Sequence, residues 1–147
     1  MRSALVFSLL FSLAFASSLR AKRSTLQFRE MIHCLTDRRA YLDYDSYGCW
    51  CGLRGKGNPV DATDRCCKTH DGCYDDLKKS GVCRGWDFFL KGYSYSKRNC
   101  DTSTASVTCG GGNDCEVGLC RCDRAAAICF RRSAFNPMYR KWNLRKC

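Results

Sequence analysis

Residues 64–74 read Asp-Arg-Cys-Cys-Lys-Thr-His-Asp-Gly-Cys-Tyr, a histidine beside a carboxylate inside a frame of three cysteines. Read as a helix, the segment places Cys66, His70 and Tyr74 on one face at intervals of four residues, with Cys67 and Asp71 about 100° round from them. One rigid element then presents a base along one line and a metal-binding carboxylate along the next. Asp61 is a good N-cap with Asp64 three residues on, and Gly81 can end the helix after Ser80, so this spacing predicts the first long helix.

Working outward, the chain begins with Arg2, an apolar run from Ala4 to Ala14 and the small-residue sequence Ala14-Phe15-Ala16, the three-part form of a secretory signal. The apolar run is too short to span a bilayer. Residues 1–16 read as that signal, and residues 17–23, ending in Ala-Lys-Arg, read as a propeptide whose removal leaves Ser24 first. Residues 24–147 then form one domain. All fourteen cysteines lie within it, and an even count in a secreted chain implies disulfides rather than a large apolar core as the main source of stability. Each is worth roughly 2–4 kcal/mol.

The precursor carries 25 Lys+Arg against 14 Asp+Glu. Four of the basic residues (Arg2, Arg20, Lys22 and Arg23) precede residue 24, leaving 21 against 14, a net charge of +7. Such a charge draws a protein to anionic surfaces, and simple solubility accounts for it equally well.

From Leu26 to Cys34, Phe28, Met31 and Ile32 share one side at helical spacing and predict a short amphipathic helix. Residues 47–60 are rich in glycine and close at Pro59, the pattern of a loop whose backbone approaches an ion or a phosphate. Tyr93-Ser-Tyr-Ser and Ser106-Val-Thr predict a two-stranded hairpin. A second long helix opens at Asp114 and runs to about Arg131, and an irregular basic tail ends at Cys147.

Three readings compete for His70 and Asp71. Zinc held by Cys66, Cys67, His70 and Cys73 is disfavoured by the adjacent cysteines and the oxidising compartment. A solvated His-Asp pair is the default for an isolated dipeptide. A catalytic pair gains weight because the glycine loop and a downstream Cys-Asp-Arg segment accompany it.

Through Tyr47-Gly-Cys-Trp-Cys-Gly, the 64–74 motif and Cys122-Asp-Arg-Ala-Ala-Ala-Ile-Cys-Phe, the chain resembles the secreted phospholipase A2 family over essentially all of residues 24–147. Cys34 with Cys100, and the end at Cys147, make it most similar to the group I enzymes of pancreas and elapid venom. The resemblance implies a mainly α, disulfide-rich fold. Its parts are an N-terminal amphipathic helix, a glycine-rich calcium loop, two long antiparallel helices cross-linked by disulfides, and a small two-stranded β-wing. The implied pairs are Cys34–Cys100, Cys49–Cys147, Cys51–Cys67, Cys66–Cys129, Cys73–Cys122, Cys83–Cys115 and Cys109–Cys120.

The resemblance also implies a chemistry, hydrolysis of the sn-2 ester of glycerophospholipids to a lysophospholipid and a fatty acid. His70 is the general base, Asp123 fixes its tautomer, and Tyr74 and Tyr93 hold Asp123. Ca²⁺ is bound by Asp71 and by the backbone carbonyls of Trp50, Gly52 and Arg54, an all-oxygen set suited to a hard cation. The Gly52 N–H assists at the developing oxyanion. Arg54 departs from the family pattern, which has glycine there.

Phe28, Ile32, Tyr44, Ala126, Ala127 and Phe130 match the acyl-channel positions, with core packing as the competing reading for each. Gln27 matches the residue that links the N-terminus to the active-site network. The implied partners are phospholipid aggregates and anionic membrane surfaces, met by a rim of Leu26, Leu42, Leu53, Trp86 and Phe89 with nearby Lys56, and no nucleic acid. The alternative is a non-enzymatic, toxin-like member that binds a protein receptor or channel or disrupts membranes. Inactive relatives often lose the histidine or the calcium aspartate, and both stand here beside Asp123.

Overall fold

The computed structural model describes residues 23–147; the expected signal at 1–16 lies outside the described residues, as does the expected propeptide apart from Arg23. Among the described residues no helix is long and apolar enough to cross a membrane. Helix α1 spans Arg23–Thr36, α2 Ala40–Asp43, α3 Ala62–Lys79 and α4 Asp87–Leu90. Strands β1 (Tyr95–Arg98) and β2 (Ser106–Cys109) precede α5 (Asp114–Arg132), and two short 3₁₀ turns, Pro137–Tyr139 and Leu144–Lys146, interrupt the tail.

Helix α3 begins as its sequence predicts, with the Asp61 side chain accepting from Asp64 N at 2.8 Å, and it ends at Ser80 ahead of Gly81 at φ +74°. Helix α5 begins at Asp114, as its sequence predicts, with Asn113 as its N-cap. The Asn113 side chain accepts from Glu116 N while the Glu116 carboxylate accepts from Asn113 N, so two otherwise unpaired donors are satisfied reciprocally. Helix α1 extends the predicted Leu26–Cys34 element in both directions.

Seven disulfides close the frame, pairing Cys34 with Cys100, Cys49 with Cys147, Cys51 with Cys67, Cys66 with Cys129, Cys73 with Cys122, Cys83 with Cys115 and Cys109 with Cys120. These are the pairs that the family resemblance implies. Cys66 and Cys73 join α3 to Cys129 and Cys122 of α5, which sets the two long helices antiparallel. Helix α1 lies across α5, burying Met31, Ile32 and Leu35 against Leu119, Ala126, Ala127 and Phe130. That apolar layer is small, which agrees with a domain whose unfolded state is held short by its cross-links.

The β-wing is a single antiparallel pair, with Tyr95 opposite Cys109 and Arg98 opposite Ser106. It starts two residues later than the alternation from Tyr93 predicts. The Gln27 side chain accepts from Tyr93 N at 3.0 Å and donates to Tyr93 O at 2.6 Å, so the peptide groups of Tyr93 are satisfied from α1 and need no strand partner. Tyr95 and Lys97 on the strand both donate to Glu30, which clasps the wing to α1.

The glycine loop before α3 is anchored by Asp64, whose side chain is fully buried. Its carboxylate accepts from the backbone N–H groups of Cys49 and Trp50 at 2.8 Å and of Val60 at 2.9 Å. Gly48, at φ +58°, must be glycine because a Cβ there would enter that carboxylate. Replacing Asp64 with Asn removes the charge and turns one acceptor into a donor facing N–H groups. We expect Asp64→Asn to cost about 2–4 kcal/mol, read as a lower melting temperature of the oxidised protein. An unchanged melting temperature would remove Asp64 from this anchoring role.

Candidate functional site

His70 sits two turns into α3, on the side that faces α5. Its Nε2–H donates to Asp123 Oδ1 at 2.7 Å, since a carboxylate offers only acceptors. Tyr74 donates its hydroxyl to the same oxygen at 2.7 Å and Tyr93 donates to Oδ2 at 2.5 Å. Asp123 is fully buried, so three donors converge on a carboxylate that has no contact with water. Burial, and then the Asp123 charge, push both tyrosine hydroxyls far above the ordinary phenol range, which keeps them as donors at every working pH.

With Nε2 committed to Asp123, Nδ1 of His70 carries the free lone pair. It lies 4.0 Å from Asp71 Oδ1. Phe28 of α1 stacks on the imidazole with ring centroids 4.5 Å apart and planes within 15°, and Tyr74 leans on it at the same centroid distance. The ring is therefore fixed in both tautomer and orientation.

A cavity of about 220 Å³ opens in front of His70 and Asp71. Phe28, Ile32, Tyr44 and Phe130 line it, four of the six predicted channel residues. Ala126 and Ala127 are buried beneath it and do not line it. They sit about a turn before Phe130 in α5, within the apolar core. Thr25, Arg29, Tyr41 and Asp45 also face the cavity and were not legible as site residues, because nothing in their spacing marks them.

Trp50 and Gly52 of the glycine loop reach the same cavity. The loop is fastened through its N–H groups and through the carbonyls of Tyr47, Cys49 and Gly57. Among the described residues, the carbonyls of Trp50, Gly52 and Arg54 accept no hydrogen bond, nor does the Gly52 N–H donate one. Trp50 and Gly52 line the cavity together with Asp71, and free carbonyls beside a carboxylate are the kind of oxygen set that suits a hard cation. Arg54 has φ +66° and its side chain is exposed, so a residue with a Cβ occupies backbone space that favours glycine.

Leu26, Leu42, Leu53, Trp86 and Phe89 are all exposed, Leu53 at 85% and Trp86 at 72%, and Lys56 is exposed near Leu53 in sequence. Tyr41, Leu90 and Met138 add exposed apolar surface that the sequence did not single out. No cysteine is free, and the seven bridges leave no thiol nucleophile.

Fold and site together define a class: a disulfide-locked, mainly helical protein with a histidine–aspartate couple on the wall of an apolar cavity and a carbonyl-bearing loop at its mouth. The profile of the family described as Phospholipase A2 matches residues 25–140, and the chain belongs to that family of enzymes. Basic phospholipase A2 1 of Naja melanoleuca is 43% identical over 110 residues, covering 75% of this chain and 86% of the relative. Phospholipase A2 of Oryctolagus cuniculus is 42% identical over 140 residues, covering 92% and 94%. Basic phospholipase A2 PL-X' of Protobothrops flavoviridis is 48% identical over 106 residues, covering 72% and 69%. The cobra and rabbit relatives agree with a group I-like member.

Asp71 has no donor comparable to those of Asp123. Burial raises its pKa above the usual carboxylate value, His70 opposes the rise and Asp75 adds to it. A folded pKa above the unfolded one favours folding with the acid protonated; that advantage is complete below the ordinary carboxylate range and is lost as pH rises through the raised value. In calcium-free buffer near neutral pH, Asp71→Asn should therefore melt above wild type, and the gap should close as pH falls towards about 3. A wild-type protein that melts above the variant at neutral pH would contradict the environment described here.

Proposed function

We propose that the protein is a secreted, calcium-dependent phospholipase A2 that cleaves the sn-2 ester of glycerophospholipids at membrane or micelle surfaces, releasing a lysophospholipid and a free fatty acid. The observation that carries the reading is the coupling of His70 to a buried, triply bonded Asp123 beside an apolar cavity. The phospholipase A2 names of the relatives agree with it. Secretion would follow from the leader expected at residues 1–23.

His70 Nδ1 takes a proton from a water molecule, whose oxygen attacks the ester carbonyl. Asp123 keeps the proton on Nε2 and stabilises the imidazolium that forms, and Tyr74 and Tyr93 hold Asp123 in place. His70 then returns the proton to the departing glycerol oxygen. Neither a serine nor a cysteine nucleophile takes part. Asp71 and the carbonyls of Trp50, Gly52 and Arg54 would hold Ca²⁺, which when bound supplies positive charge beside the ester oxygen. The Gly52 N–H donates to the same oxygen as it becomes negative, an effect worth about 3–4 kcal/mol in comparable sites.

Phe28, Ile32, Tyr44 and Phe130 receive the acyl chain. The exposed apolar side chains and the net positive charge favour anionic lipid surfaces, each basic residue near such a surface adding about 1 kcal/mol of attraction. Release of fatty acid from mixed phospholipid micelles, with Ca²⁺ and then with a chelator, tests the reading. His70→Gln should lose about 10²–10⁴-fold in turnover while keeping its fold. Turnover within a few-fold of wild type would sink this mechanism, and activity that persists in chelator would sink the calcium requirement.

Arg54 gives a separate expectation. If residue 54 contributes a cation-binding carbonyl from a conformation that costs a non-glycine residue about 1–2 kcal/mol, Arg54→Gly relieves that cost and tightens Ca²⁺ by about 5–30-fold. Turnover at saturating calcium should hardly change. Half-saturation by calcium, measured through activity for both proteins, decides it; equal values would mean that the arginine carries no strain the ion feels.

A further inference from the structure

On the side of the molecule built around the Cys34–Cys100 bridge, three side chains converge that the hydrolytic site does not use. His33, Asp37 and Asp101 each bring one ligand atom to a cluster in which all three atoms lie within 4.8 Å of one another. We propose that they form a site for a borderline divalent cation, Zn²⁺, in addition to the calcium loop.

The cluster is assembled by the fold and not by chance neighbours on one helix. His33 lies in the last turn of α1, and Asp37 N donates to His33 O at 2.9 Å as that helix ends. The backbone of Asp37 then turns left-handed at φ +54°, one of the few conformations in which aspartate is tolerated outside the usual regions. Asp101 comes from a segment 64 positions beyond Asp37 in the numbering and is brought in by two covalent neighbours, since Cys34 follows His33 and Cys100 precedes Asp101. The Asp101 N–H also donates to Cys34 O at 3.1 Å. Two of the three ligands are thus each one residue from the same disulfide, which fixes their backbones relative to one another.

The chemistry of the three groups selects the ion. An imidazole nitrogen with two carboxylate oxygens suits Zn²⁺, whose bonds to these atoms are about 2.0–2.2 Å, whereas Ca²⁺ and Mg²⁺ prefer oxygen alone. Donors within 4.8 Å of one another close to such bonds through side-chain rotation, and all three residues are exposed and able to rotate. Among the described residues none of the three side chains makes a hydrogen bond or an ion pair, although the chain is rich in arginine and lysine. Two neighbouring carboxylates without a cation repel each other, and a bound divalent ion removes that repulsion. The exposed side of the cluster leaves the remaining coordination positions to water.

The chain contains only two histidines, His33 and His70, so imidazole nitrogen spectra can report which one meets the metal. We would titrate ZnCl₂ into the full folded protein in the presence of excess CaCl₂. The expected result is a saturable shift of the His33 resonances at one zinc per chain, with those of His70 unmoved, and a loss of more than about tenfold in zinc affinity for Asp101→Asn. Asp71→Asn should bind zinc as well as wild type, since Asp71 lies in α3 and is no part of the His33–Asp37–Asp101 cluster. Movement of His70 alone would place the zinc in the hydrolytic site and overturn the proposal. So would a His33 shift that Asp101→Asn leaves equally tight, which would mean an isolated surface imidazole, and so would no shift at all.

Discussion

Two disulfides between α3 and α5 set the geometry on which the rest of the protein depends. Cys66 is tied to Cys129 and Cys73 to Cys122, so seven residues on one helix span the same distance as seven on the other, running the opposite way. Two bridges a couple of turns apart leave two packed helices no freedom to slide or rotate. In that register His70 lies opposite the stretch that holds Asp123, and a 2.7 Å hydrogen bond follows. Tyr74 is carried to the same carboxylate from one turn further along α3, and Tyr93 arrives from the strand side, held there by Gln27 of α1. A buried carboxylate costs several kcal/mol unless its lone pairs are occupied. Here α3 contributes two donors, His70 and Tyr74, and the segment before β1 contributes the third, Tyr93, and the cross-links hold them on station.

The identity of the elements was legible because the signals were local. Asp61 caps α3, Gly81 ends it, and the His-Asp pair within the cysteine frame fixes which face matters. The pairing of the cysteines came only from family resemblance, since fourteen half-cystines admit a vast number of connectivities. The sequence was least informative where one side chain serves a distant backbone. Asp64 reads as a helix-start residue, yet its carboxylate holds Cys49, Trp50 and Val60; Gln27 matches the residue that links the N-terminus to the active-site network, and its side chain in addition takes the Tyr93 backbone out of the strand. Ala126 and Ala127 carry channel positions by analogy but lie buried in the core and off the cavity wall, since a methyl group reaches so little beyond its own backbone. Tyr41 and Asp45 face the cavity from a short connecting segment that has no periodicity to read.

Asp71 and Asp123 flank the same imidazole in opposite environments. Asp123 has donors on both oxygens and no solvent, an arrangement that keeps a negative charge in place and immobile. Asp71 is partly exposed, has no donor of its own and is held towards its neutral form by burial and by Asp75. The first is satisfied by protein and, in the proposed mechanism, would orient the base. The second is left unsatisfied by protein, and a carboxylate in that condition gains most from a cation. Two chemically identical side chains thus take different parts because the surrounding donors are distributed unequally.

The glycine loop follows the same logic at the level of its backbone. A loop can be fixed through its N–H groups, through its carbonyls or through both, and whichever set is used is lost to ligands. Here Asp64 takes N–H groups, Gly48 N donates to Tyr139 O in the tail, and Cys49 is bridged to Cys147. The tail closes over the loop so tightly that a side chain at Gly57 would meet the backbone of Cys147. The loop is thereby rigid while the carbonyls of Trp50, Gly52 and Arg54 stay unpaired. A rigid oxygen set costs little further ordering when a cation enters it, so on the proposed function the irregular C-terminal tail, far from the histidine in sequence, would bear on calcium affinity.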